Sequence, residues 1–144
     1  MCSAHGAVRV LLGEIVGSEK RPTIVDIEAG LEHLSRGTAR NVDTLLAIFE
    51  PYYKSMETAA RVTELARELG IPHVFGVANK VRSSDDDKAL REFAHQHNIH
   101  LLGSIPDDEA MGKADRAGVA PLDFDAGAPA IRAISELAAR LQQS

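Results

Sequence analysis

Three short stretches end apolar runs on side chains that can do chemistry. The first, TIVDIEAG at residues 23–30, breaks its apolar run at Asp26 and reaches Gly30 four residues later. A carboxylate at a strand tip can hold the magnesium ion of a nucleoside triphosphate, directly or through water, and the glycine lets the backbone come close to a γ-phosphate. The same pair also reads as ordinary turn chemistry. The second stretch, VANKV at residues 77–81, carries Asn79 and Lys80. An amide offers both a donor and an acceptor, which suits the amino and ring-nitrogen edge of adenine, and a lysine stem can lie over a flat base. A solvated strand end would use the same dipeptide. The third, GSIPDDEAM at residues 103–111, puts Pro106, Asp107 and Asp108 where a strand hands over to a helix. These residues could line a base, or Asp107 could simply cap the helix.

Such side chains need a scaffold, and the hydrophobic pattern supplies one. Four nearly continuous apolar runs, TIVDI (23–27), TLLAIF (44–49), HVFGVA (73–78) and IHLLGS (99–104), alternate with helical patterns. That alternation predicts an α/β fold: a mostly parallel sheet flanked by helices, with strands buried on both faces. A helix is expected over 55–69 through Met56, Val62, Leu65 and Leu69, with Ser55 as its N-cap, Gly70 as its stop and Pro72 just beyond. A second follows Ser84, with Asp85, Asp86 and Asp87 at its positive end and Leu90, Phe93, Ala94 and His97 along one face. A short third runs from Asp107 to near Gly118, and a last one spans 126–142 through Ile131, Ile134, Leu137 and Leu141. Residues 4–16 also read as helical. Ligands of such sheets sit at the carboxyl ends of the strands, where the three stretches fall.

The bulk properties narrow the class further. At 144 residues the chain is the size of one domain, and 44% hydrophobic with 26% charged residues is a globular composition. A net charge of −5 gives no basic field for a nucleic-acid backbone, and no apolar run is long enough for a membrane span. Neither nucleic acid nor membrane is an expected partner, and the cytoplasm is the expected compartment. The single cysteine, Cys2, has no internal disulfide partner. Among the histidines, His95 and His97 lie two apart on a helix and make a poor chelating pair. His73 and His100 fall at strand starts and read as packing residues, whereas His33, beside the first stretch, and His5, three residues after Cys2, are open to a functional role.

In this order and at these spacings, the motifs resemble the later half of the MinD/ParA-like P-loop ATPases. DIEAGLEHLSRGT, FEPYYKSMETAARV, VANKV and GSIPDDEAM are most similar to the carbon monoxide dehydrogenase maturation factors, the nickel-insertion ATPases. The resemblance covers nearly the whole chain, and the switch continuation from His33 to Arg36 is its sharpest part. It implies a partial P-loop NTPase fold that uses ATP and Mg2+. Asp26 and Gly30 would belong to the magnesium and γ-phosphate switch, Asn79 with Lys80 would meet adenine, and Pro106, Asp107 and Asp108 would flank the base. MCSAHGAVRVLL is similar to the family's Cys-x-Cys metal motif entered at its middle residue. Cys2 would then give one thiolate per subunit to nickel or zinc across the two-fold axis of a homodimer. The client would be carbon monoxide dehydrogenase or a similar metalloenzyme.

The family's glycine-rich loop with its two lysines, which cradles the phosphates, has no counterpart: no Gly-Lys-Ser/Thr occurs in the sequence. The chain is therefore expected to be the C-terminal part of a MinD/ParA-like ATPase domain, lacking the Walker A half and inactive alone as an ATPase. Two other readings stay open: a positioning or adaptor ATPase without a metal role, and an α/β scaffold that binds no nucleotide.

Overall fold

The computed structural model describes residues 23–26 and 42–142. Three of the apolar runs form parallel strands, β1 (Thr44–Phe49), β2 (His73–Val81) and β3 (Leu101–Pro106), hydrogen-bonded in the order β1-β2-β3. Helix α1 (Tyr53–Glu68) crosses from β1 to β2, and α2 (Ser84–Gln96) from β2 to β3. After β3 come α3 (Glu109–Ala117), the single turn α4 (Pro121–Phe124) and α5 (Pro129–Leu141). The register runs from Thr44 opposite His73 to Phe49 opposite Ala78, so the carboxyl ends of β1 and β2 finish close together.

One face of the sheet is covered by α1 and α2. Leu45, Ala47 and Phe49 of β1 pack there with Ala59 and Ala66 of α1, Leu90 of α2 and Ala78 of β2. Ile99 and Phe49 fill the space above β2 because Gly76 has no side chain. A Cβ there would stand 2.6 Å from Ile99 Cγ2 and 3.0 Å from Phe49 Cε1. On the other face, α5 brings Leu137 onto Phe75, Val77 and Leu102. Arg140 fixes α5 by donating to the Leu102 carbonyl at 2.7 Å.

Both crossover helices end in the same way. After α1, Gly70 takes φ 77°, its N–H donates to the Arg67 carbonyl, and the Ile71 N–H reaches back to Ala66. After α2, Asn98 takes φ 54°, donates to His95, and Ile99 reaches back to Ala94. This paired closure satisfies orphan carbonyls and drives the following isoleucine into the core.

Several expectations are corrected. Residues 23–26 form no strand, and Ile24 is 95% exposed. A strand needs a hydrogen-bonding neighbour, and neither edge of the described sheet pairs with this run. Burial on both faces also fails for β1, which alternates: Ile48 is 61% exposed beside Phe49 at 1%. Helix α1 begins at Tyr53, and Ser55 lies inside it, because its hydroxyl accepts the Glu50 N–H at 3.0 Å and so ties the strand-to-helix turn. The cap of α2 is Ser83, which accepts the Asp86 N–H at 3.1 Å. Strand β2 continues past Ala78 to Val81, and β3 starts at Leu101 because Ile99 is still part of the α2 closure. The last helix starts at Pro129 rather than at 126, and an unexpected single turn opened by Pro121 precedes it. The expected helix over 4–16, Cys2, His5, Gly30 and His33 lie outside the described residues.

Candidate functional site

The carboxyl ends of the three strands converge on one rim, and ion pairs cross-link them. Lys80 Nζ at the end of β2 lies 2.8 Å from Glu50 Oε1, just past β1. Arg82 Nε, just past β2, lies 2.8 Å from Asp107 Oδ2, just past β3. The Arg82 N–H also donates to Asp86 Oδ2 at 3.0 Å, while the Asp86 N–H donates to Ser83 Oγ, so Asp86 ties both residues at the start of α2. Lys80 is held above the usual lysine range, first by its hydrogen bond to Glu50. Asp107 and Tyr52 also contribute to the field at Lys80.

The backbone here is irregular. The pairing of β2 with β3 slips between Ala78 and Val81, so Asn79 and Lys80 leave the ladder. Lys80 has φ 53°, the left-handed region, which for an L-residue with a side chain costs about 1–2 kcal/mol. Beside it the half-buried Asn79 amide makes no hydrogen bond within the described structure, so its donor and acceptor are open. Non-glycine residues in this region cluster at ligand-binding positions. Each cation of the rim is met by a carboxylate, an electrostatic balance suited to an uncharged group such as a base more than to a phosphate.

The remaining candidates fare differently. Pro106 ends β3, and the Asp107 N–H closes the rim by donating to the Val81 carbonyl at 3.0 Å. Asp108, not Asp107, caps the following helix: its carboxylate accepts the Ala110 N–H at 2.9 Å and the Ala130 N–H at 3.0 Å, joining the starts of α3 and α5. Those bonds, Ala130 first, hold Asp108 below the usual carboxylate range. Asp108 is thus engaged within the fold. Asp26 is exposed in an irregular segment, and among the described residues no group of three or more His, Cys, Asp or Glu side chains gathers as a metal site. His73 and His100 flank Phe75, with ring centroids at 6.4 and 5.3 Å, and His97 stacks on Phe93 at 4.1 Å.

No protein-family model matches the sequence. The chain is 42% identical over 124 residues to the carbon monoxide dehydrogenase accessory protein CooC of Rhodospirillum rubrum, a match covering 86% of this chain and 46% of that protein. It is a CooC homologue. An uncharacterized ATP-binding protein of Methanocaldococcus jannaschii is 34% identical over 128 residues, covering 89% of this chain and 49% of its own length. The chain spans about half the length of these curated relatives. Among solved structures, a ParA family ATPase of Chlorobium tepidum superposes with a TM-score of 0.78 at 20% identity, covering 97% of this chain and 57% of that one. The MinD cell division protein of Aquifex aeolicus gives 0.75 at 19%, with 97% and 61% covered. The CooC homologue therefore has a partial MinD/ParA-like fold.

Within this CooC homologue, sequence motifs pointed to Asn79, Lys80, Pro106 and Asp107, and the fold brings them to one rim. The ion-pair partners Glu50 and Arg82 were missed. Glu50 stood in the quoted FEPYYKSMETAARV, but only the parallel register shows that it faces Lys80. Among the described residues no helix is long and apolar enough to cross a membrane.

Proposed function

We propose that this chain is the base-binding and switch part of an ATP-dependent accessory ATPase that serves nickel insertion into carbon monoxide dehydrogenase, working as a homodimer. The reading rests on one observation above all: the open Asn79 amide stands at a left-handed turn, on a rim whose cations are already paired. The likeness to the carbon monoxide dehydrogenase accessory protein CooC supports the client, and the likeness to an ATP-binding relative supports the nucleotide, while the metal rests on the motif resemblance at Cys2 alone. In this reading Asn79 reads adenine, Lys80 and Pro106 bound the base, and Asp26 is the residue of this chain that would reach a magnesium ion. The magnesium would neutralise charge on the phosphates. Cys2 would carry the shared nickel or zinc.

The test is a titration of adenosine into the labelled chain, followed at the Asn79 side-chain amide. Replacing Asn79 by Ala removes the paired donor and acceptor and is expected to cost about 1–3 kcal/mol of binding. Equal affinity in both proteins removes the base-site assignment. Magnesium-dependent ATP turnover by the 144-residue chain is expected at background, since positioned phosphate contacts supply most of the catalysis in phosphoryl transfer. Turnover that disappears in Asp26→Ala would contradict that division of the site.

A further inference from the structure

We infer that Glu50 is a positioning residue: it pins Lys80 in the left-handed turn that keeps the Asn79 amide turned out of the β2–β3 ladder. The inference deepens the base-site reading and rests on it.

The geometry runs from one strand to the next. The turn after β1 is itself fixed, because the Glu50 N–H is held by Ser55 Oγ at 3.0 Å inside the first turn of α1. From that anchored backbone the Glu50 carboxylate, only 28% exposed, reaches across to Lys80 Nζ at 2.8 Å. Lys80 sits where the β2–β3 register slips and where φ is 53°. A side-chain-bearing residue stays in that region only when its surroundings hold it there. The other nearby carboxylate, Asp107, is taken by Arg82, which leaves Glu50 as the group that restrains Lys80. With both residues outside the ladder, the half-buried Asn79 side-chain amide makes no hydrogen bond within the described structure.

The experiment uses the whole chain, isotopically labelled, with adenosine as the probe. Two quantities are read: the adenosine dissociation constant, and the backbone HN–Hα coupling of Lys80 without ligand. Glu50→Gln is expected to move the Lys80 coupling away from its left-handed value and to weaken adenosine about three-fold, the scale of a partly exposed ion pair. In a Lys80→Gly background, where the lysine stem no longer bounds the base, Glu50→Gln is expected to cost no further affinity, because glycine enters the left-handed region without the ion pair. General damage to the fold would lower affinity in that background too. A Glu50→Gln protein with an unchanged Lys80 coupling or unchanged adenosine affinity overturns the role of Glu50 and leaves the base site standing. A further loss of affinity when Glu50→Gln is added to Lys80→Gly overturns it as well. A wild-type chain whose Asn79 does not respond to adenosine overturns the base site itself, and the inference with it.

Discussion

The two faces of the sheet are built from similar side chains and end up in different states. Beneath α1 and α2, every inward residue of β1 is sealed; on the opposite face α5 covers β2 and β3, while Leu46 and Ile48 of β1 remain 39% and 61% exposed. The first face is roofed by crossover helices whose ends are locked at both joints. Among the described residues the second has one covering helix, tied down at Asp108 and Arg140. Strand composition thus fixes which residues could be buried, and the number of helices above a face decides which ones are.

The comparison can be broken most sharply at neighbouring positions. Phe49→Ala on the roofed face is expected to cost about 3–5 kcal/mol of stability by urea unfolding. Gly76→Ala, on the same side, forces a methyl against Ile99 and Phe49 and is expected to cost about 1–3 kcal/mol. Asp108→Asn probes the anchor of the second face. The folded Asp108 carboxyl lies below its ordinary value, so its contribution is present above the unfolded carboxylate pKa of about 3.9 and fades as pH falls through the folded value. Wild type should therefore lose stability over that acid window more steeply than Asp108→Asn, with α5 amide protection factors falling further in wild type as acid is added. Equal acid profiles would remove Asp108 as the anchor. Ile48→Ala, one residue from Phe49 but on the open face, should change stability by no more than about 0.5 kcal/mol. A loss comparable to that of Phe49→Ala would mean the open face is covered in solution.

What the sequence made legible follows the same physics. The runs at 44–49 and 73–78 became strands because β-branched and aromatic residues between turn signals say so locally. The run at 23–27 looks the same locally, yet residues 23–26 are not in the sheet, because pairing depends on a neighbour that no local pattern reveals. Capping went astray for a related reason. Ser55 and Asp107 are good caps by type, but Ser55 is engaged by Glu50, and the neighbouring Asp108 reaches two helix starts at once. At the rim, Asn79, Lys80 and Pro106 were legible through motif resemblance. The Glu50–Lys80 and Arg82–Asp107 pairs were not, since they join residues far apart in sequence that only the parallel register brings together.

The left-handed closures at Gly70 and Asn98 have a consequence for how this architecture can vary over generations. Both sit where a helix turns back into the amino end of a strand, and both plug an isoleucine into the core, so an insertion there would pull a stopper out of the interior. The turns at the opposite end of the same strands hold surface ion pairs instead, which can be exchanged one at a time without opening the core. Mutational drift is thereby channelled to one end of the sheet, and new ligand chemistry can be tried at the rim while the joints beneath it stay fixed.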